Sequence, residues 1–328
     1  MKDTDFAYSV AYMRTLENKM LDQADIDALL NMPGAAEAVK FLVDRNYGGG
    51  DKVSGASKDI IDELLKAELE QAWQEIREAC PKDAPIDVLL YQNDFQNLKT
   101  ILKAVFDNSE WKHLMLYPSI NDPEAVHKIV SENKMDELPE LLRKPAQDAY
   151  ELLARTHDGQ RAEIVIDKAA FAAMQKEAEE RKSNFLYGWV QLWATLSNMK
   201  TALRMAAAKK DKTFISESML QTDDAGADAL VEAAAQDVQA VIGAFSANGF
   251  EDGAEAAGQS ISEFEKWTDN KLMDYVRAAQ YQSFGFEPLL AYLYGKKAEA
   301  QALRIVLYGL LNHIPKSTLK ERLRDLYV

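Results

Sequence analysis

Two Glu-x-x-His pairs, Glu110 with His113 and Glu124 with His127, have the spacing best suited to hold a metal. Residues three apart share a helix face, and two such pairs, with glutamates from two further helices, hold the metals of di-iron bundles. Here the pairs stand 14 residues apart, with Pro118 and Pro123 between or beside them, which leaves room only for short helices. The spacing therefore predicts no metal centre. The run Asp223-Asp224-Ala225-Gly226-Ala227-Asp228 offers the clustered carboxylates that hard cations prefer. No second cluster faces it in the sequence, and it reads as a helix start whose acids favour the macrodipole. Gly50-Asp51-Lys52-Val53-Ser54-Gly55-Ala56-Ser57 comes near phosphate-loop spacing, but Ala56 stands where the lysine belongs and no strand precedes it. It reads as a connection between helices, with Ser57 capping the next one. His157 and His313 stand alone near predicted helix ends, and no nucleophile, base and orienter can be assembled. No catalytic residue, cofactor or metal is expected.

The elements that would have to position such groups are helices. Only 9 prolines and 15 glycines interrupt 328 residues, and Ala, Leu, Glu, Lys and Asp dominate, most of them good helix formers. No pair of alternating β-branched runs is joined by Asn-Gly or Asp-Gly. The fold class is all-α. Phe6, Val10, Met13, Leu16 and Met20 step by three and four, the signature of a first helix. Asp25 to Leu30 and Ala35 to Arg45 follow, and the glycine triplet Gly48–Gly50 ends the third. The run from Lys58 to Cys80 is long and amphipathic until Pro81 and Pro85, and another helix runs to Phe106. Helices are predicted over 138–156, 167–181 and 184–210, the last with Trp189, Trp193, Leu196, Met199 and Leu203 as a core stripe. The Ala-rich stretch from Ala225 to Gly258, punctuated by Gly243, Gly249 and Gly253, reads as weakly packed helix followed by loop. Ser262-Glu263-Phe264-Glu265 has capping-box spacing and opens a helix to about Gln280. Pro288 begins another reaching Asn312, and Pro315 starts a short final one.

The formal charge of −15 repels phosphates and anionic headgroups, so nucleic acid and lipid are not expected as direct partners. Cys80 is the only cysteine, which excludes an intramolecular disulfide and a Cys-rich zinc site and fits a reducing compartment. The acidic start Met1-Lys2-Asp3-Thr4-Asp5 lacks the features of a secretory signal, and no apolar run approaches membrane-spanning length.

Self-similarity is the most informative feature. Asn97-Leu98-Lys99-Thr100-Ile101-Leu102-Lys103 matches Asn198-Met199-Lys200-Thr201-Ala202-Leu203-Arg204 at an offset of 101, with four of seven positions identical. A third copy, Ala302-Leu303-Arg304-Ile305-Val306-Leu307-Tyr308, lies 104 residues further on and has Ala302 in place of Asn. A period near 100 is too long for short-repeat solenoids and predicts three helical domains, at 1–115, 116–220 and 221–328. Within them Asn97, Lys99, Lys103, Asn198, Lys200, Arg204 and Arg304 are expected to bond neighbouring helix ends or carbonyls and fix register, because buried polar groups need partners.

The C-terminal stretch contains Glu287-Pro288-Leu289-Leu290, Glu299, Leu303-Arg304-Ile305 and Glu321-Arg322-Leu323-Arg324-Asp325-Leu326-Tyr327-Val328. In this it resembles the C subunit of the V/A-type rotary ATPases, called d in the vacuolar enzyme. Tyr8 to Glu17, with Ala11, Arg14 and Leu16, is similar to that family's opening helix, and the two Asn-x-Lys-Thr segments to its inner repeats. The resemblance implies a funnel of three helical domains and a non-catalytic coupling role. It implies as partners the central-stalk subunits of D and F type and the membrane proteolipid ring. It also implies a cytoplasmic place, peripheral to the membrane through other subunits, in ATP-linked proton or sodium transport. Arg322, Arg324 and Tyr327 belong to the matching C-terminal signature. A generic helical scaffold or adaptor is the alternative reading.

Overall fold

A computed structural model describes residues 2–50, 55–82, 84, 86–223 and 226–328, and among these every regular element is helical. The chain divides into two units, residues 1–86 with 266–328, and residues 87–265. In the first unit α1 (Ala7–Glu17), α2 (Gln23–Leu30), α3 (Ala35–Asp44) and α4 (Lys58–Ala79) come from the N-terminal segment. The second unit holds α5 (Tyr91–Asp107), α6 (Pro123–Ser131), α7 (Glu140–Thr156), α8 (Gly159–Arg181) and α9 (Asn184–Ala207). It continues through α10 (Lys212–Ser218), α11 (Gly226–Ala234), α12 (Val238–Ala247) and α13 (Glu251–Gln259). The chain then returns through α14 (Ile261–Arg277) to α15 (Glu287–Leu311) and α16 (Lys316–Arg322).

The core of the first unit is assembled from both ends of the chain. Ile26, Leu29, Val39, Leu42, Ile61 and Leu65 pack in one cluster with Leu303, Val306, Leu307, Leu319 and Leu326. Each of these side chains gains roughly 1.5–3 kcal/mol from leaving water, so the two segments hold each other in place mainly by apolar burial. In the second unit α5 supplies Phe95, Leu98, Ile101 and Leu102, which pack against Leu142, Ala146 and Ala149 of α7 and Ile166 and Ala170 of α8. The alanines let the helices approach closely while the larger residues fill the grooves.

Helix ends follow from local chemistry. Asp22 accepts from the Asp25 amide at 2.9 Å at the start of α2, and Asp122 precedes Pro123 at the start of α6. Helices α5, α7 and α8 stop where Asn108, His157 and Lys182 turn left-handed, at φ of 52°, 54° and 55°. His157 is thus a helix-terminating residue, as is His313, with φ 55° just beyond α15.

Three expectations need correction. Helix α8 begins at Gly159, not Asp167, because Asp158 caps it and accepts from the Arg161 amide at 3.1 Å. The stretch from Gly226 to Gln259 forms three short helices, not one loose helix and a loop. Asp237 caps α12 by accepting from the Ala240 amide at 2.8 Å. The cap of α14 is Ser260, whose hydroxyl accepts from the Glu263 amide at 3.0 Å, two residues before the Ser262 spacing.

Candidate functional site

Among the described residues, none of the motifs with catalytic spacing is assembled for chemistry. Lys112 bridges to Glu124 at 2.7 Å, and the His127 ring stacks on Trp111 with centroids 4.3 Å apart. Burial and the Lys112 charge hold the His127 imidazole below its usual range. No group of three or more metal-ligating side chains occurs among the described residues. Asp223 accepts from the Tyr187 hydroxyl at 2.6 Å and Asp228 lies in the first turn of α11, while Asp224 and Ala225 fall outside the described residues. Of the glycine-rich connection, 51–54 also fall outside them, and Ser57 caps α4 by accepting from the Ile60 amide at 3.3 Å. Burial pushes the Cys80 thiol up to about 11, with the Ser9 hydroxyl opposing, so this sulfur is a poor nucleophile.

The repeat signature does position side chains. Asn97 on α5 donates to the Leu116 carbonyl at 2.9 Å and accepts from the Leu116 amide at 2.7 Å. Asn198 on α9 makes the same pair of bonds with Leu220, both at 2.8 Å. A primary amide has one donor and one acceptor edge, so it can replace a strand partner for a single residue and fix the connection running past the helix. In the first copy the clamp is extended. Asn93 donates to the Pro118 carbonyl at 2.7 Å, and Asp94 accepts from the Ile120 amide at 2.9 Å and from both nitrogens of Asn121. Asp94 is buried, and burial raises its carboxyl to about 6 although those three donors favour the charged form.

A second recurrence was not legible in the sequence. The long helices α4, α8 and α14 are capped by Ser57, Asp158 and Ser260, which lie 101 and 102 residues apart. Five residues beyond each cap stands a carboxylate bound by a cation from another long helix. Asp62 meets Arg304 at 3.2 Å, Glu163 meets Lys103 at 2.9 Å and Glu265 meets Arg204 at 3.0 Å. These pairs are well exposed, and exposed pairs contribute about 0–1 kcal/mol each, so their recurrence marks helix register more than stability. By its partner Arg304 stands with Lys103 and Arg204, one turn from the alignment that sets it beside Lys99 and Lys200. Either register puts alanine, Ala298 or Ala302, where the other copies have Asn. Lys99 reaches Asp167 at 2.7 Å, and Lys200 lies within α9.

The C-terminal signature residues form a strap over the first unit. Arg324 pairs with Asp269 at 3.2 Å, and its guanidinium also donates to the Arg322 carbonyl. The Tyr327 hydroxyl donates to Glu17 at 3.0 Å and its carbonyl accepts from Gln280 at 2.9 Å. Its ring crosses α15 at Gly295, where an added Cβ would sit 2.7 Å from the Tyr327 Cβ. Beneath lies a charged cluster that residue pattern alone does not reveal. Lys296, 4% exposed, bonds Glu299 and reaches Glu68 at 2.5 Å, while its ammonium stands 4.9 Å from the Tyr47 ring. Glu299 accepts from the Leu21 amide at 2.6 Å and Glu68 from the Gly48 amide at 2.7 Å. Gly48 has φ +67°, and an added Cβ would stand 2.6 Å from Leu64, so only glycine lets this turn meet α4. Burial would lower the Lys296 ammonium, but the Glu299 and Glu68 charges outweigh it and hold the lysine protonated. Burial raises the Glu299 carboxyl against the opposing Lys296 charge, as expected where two carboxylates share one ammonium. The arrangement ties α4, α15 and the α1–α2 connection together.

A family model described as "ATP synthase (C/AC39) subunit" matches residues 9–322. Among curated proteins the chain is similar to the C subunit of a V-type sodium ATPase from Enterococcus hirae, 23% identical over 83% of this chain and 84% of that one. It is also similar to the C subunit of an A-type ATP synthase from Methanocaldococcus jannaschii, 22% identical over 98% of this chain and 86% of that one. The C subunit of a V-type ATP synthase from Thermus thermophilus is 21% identical over 61% of this chain and 63% of its own length.

Proposed function

The chain belongs to the ATP synthase (C/AC39) subunit family, and from that membership we propose that it serves as the non-catalytic C subunit of a V/A-type rotary ATPase. In this reading it joins the D- and F-type central-stalk subunits to the proteolipid ring and transmits torque for ATP-linked proton or sodium transport. It reaches the cytosolic face of the membrane through those partners. No helix among the described residues is long and apolar enough to cross a membrane. The same reading takes the chain as three repeated helical units, at 1–115, 116–220 and 221–328, arranged as a funnel.

The observation that carries the proposal is the family match across nearly the whole length, from 9 to 322. The duplicated Asn clamps and the three cap-plus-ion-pair sets support the repeated-unit part. A coupler must resist twisting, and close-packed helices held by buried polar groups are stiff. The test is removal of the chain from its native membrane complex. ATP hydrolysis by the head should persist while ATP-driven ion transport is lost, and added protein should restore transport. Transport that continues without the chain, or its failure to co-purify with any rotary ATPase component, refutes the role.

A further inference from the structure

Between Lys212 and Lys266 the sequence contains eleven Asp or Glu and no Lys, Arg or His, so most of the net charge of −15 resides in this one stretch. The same stretch forms part of a cavity of about 140 Å³ in the second unit. Thr195, Asn198 and Met199 of α9 form one side of it, and Leu230 of α11 with Phe245 of α12 and Phe250 form the other. Phe245 is held in place by stacking on Phe264, with centroids 5.2 Å apart and planes at 11°. Asn248 also lines it, and both amides are engaged, Asn198 with Leu220 and Asn248 by donating to the Ala244 carbonyl at 2.7 Å. An apolar cavity of about 150 Å³ accepts a benzene-sized guest. This one has room for a leucine or phenylalanine side chain.

The cavity lies where the two repeats diverge. At the position of Asp94, which grips Ile120 and Asn121 in the first copy, the second has Thr195, and Thr195 lines the cavity. Three carboxylates stand one residue from the lining in sequence. Asp223 follows Thr222, Asp228 follows Ala227 and Glu251 follows Phe250, and all three are exposed. Such a rim attracts a positively charged partner and suppresses an acidic one, while the apolar floor takes a side chain out of water.

We propose that the α9/α11/α12 cavity is a docking site for a cationic amphipathic helix of a partner protein, which inserts one apolar side chain between Met199, Leu230 and Phe245 while its lysines or arginines face Asp223, Asp228 and Glu251. The site stands on this cavity and its charge, and does not depend on the rotor reading.

The test uses the full chain and a fluorescein-labelled, helix-forming peptide of alternating leucine and lysine faces, read by anisotropy at several salt concentrations. A second peptide carries the same lysines with serine for leucine. Saturable binding of the leucine peptide at least tenfold tighter than the serine peptide is expected. Ala227→Leu, which fills the cavity, should weaken binding at least tenfold. The exposed pair Asp228→Asn with Glu251→Gln should weaken it and flatten its salt dependence. Should Ala227→Leu fail to fold, Ala244→Leu and the charge pair decide the matter. Absence of saturable binding, equal affinity for the two peptides, or an affinity unchanged by the cavity-filling and charge variants overturns the proposal. A cavity-dependent dimer of this chain without peptide binding, or stabilisation by benzene alone, identifies another occupant and overturns it too.

Discussion

Replacing Lys296 by methionine removes the ammonium that Glu68 and Glu299 share while leaving both carboxylates in place. Methionine is close in length and apolar, so little packing is lost, and the cost is electrostatic. Glu299 is 1% exposed and retains the Leu21 amide, and Glu68 retains the Gly48 amide. Removing one partner of a buried ion pair costs about 3–5 kcal/mol, because the remaining charge is desolvated without compensation. For a unit of about 150 residues each kcal/mol moves the midpoint by about 2–4 °C, so Lys296→Met should lower the melting temperature of the first unit by about 6–20 °C. Calorimetry at pH 7 on the full chain measures this directly. The deficit should shrink as pH falls, since a proton on Glu299, whose carboxyl is already raised by burial, removes the uncompensated charge. Lys296→Met combined with Glu68→Gln and Glu299→Gln should recover much of the loss. A melting temperature within about 2 °C of the parent at pH 7, or a deficit that does not change with pH, would mean the cluster is solvated and the reasoning wrong.

Asp94 offers a pH test in the second unit. Its folded-state value near 6 lies above the ordinary 3.8, so the folded chain binds this proton more tightly than the unfolded one. Its contribution to stability is therefore greatest below about pH 4 and falls as pH rises to about 6. The difference in urea midpoint between the parent and Asp94→Asn should change across that window and be flat above it, and a constant difference from pH 4 to 7 contradicts the assignment. Asn97→Ala and Asn198→Ala each leave a backbone amide and carbonyl unpaired, at Leu116 and at Leu220. Each should cost about 1–3 kcal/mol in urea unfolding, with hydrogen exchange rising at those two connections and not elsewhere. Gly295→Ala drives a Cβ against Tyr327 and the Met20 methyl at 2.7–2.9 Å. It should cost about 1–3 kcal/mol and expose the tail to carboxypeptidase, whereas an unchanged digestion rate would show that the strap yields easily.

The helices with clear apolar stripes, α1, α4 and α9, were legible in the sequence because buried Val10, Leu64 or Met199 recur at helical spacing. The helices α11 to α13 were not, since alanine and glycine give no contrast between faces. Gly243, Gly253 and Gly258 lie inside helices that their composition argues against. The start of α8 was hidden for a related reason. Gly159 follows the Asp158 cap, and Ala162 and Ile166 are too few to show a stripe. The Asn signature was visible as a repeat, but its partners Leu116 and Leu220 were not, because a bond to a backbone group leaves no mark on residue type. Arg304 shows the limit of alignment by pattern, since a slip of four residues returns to nearly the same helix face and only the partner Asp62 fixes the turn. Glu68 and Lys296 look like ordinary surface charges on amphipathic helices, and their burial follows from the meeting of α4 with α15.

The first unit is built from segments that are far apart in the order of synthesis. Residues 21–65 hold one part of an apolar cluster whose other part, Ala300 to Leu326, is made after the whole second unit. At about 5–20 residues per second, the N-terminal helices wait on the order of tens of seconds for their packing partners. The second unit is contiguous and can close during that interval. A growing chain therefore carries one finished unit behind an unfinished one, with Leu29, Leu42, Ile61 and Leu65 uncovered until α15 leaves the ribosome. Nascent-chain chaperones should engage this N-terminal quarter, and ribosome stalling near the end of α15, with that helix still in the exit tunnel, should leave it sensitive to protease while residues 87–265 resist.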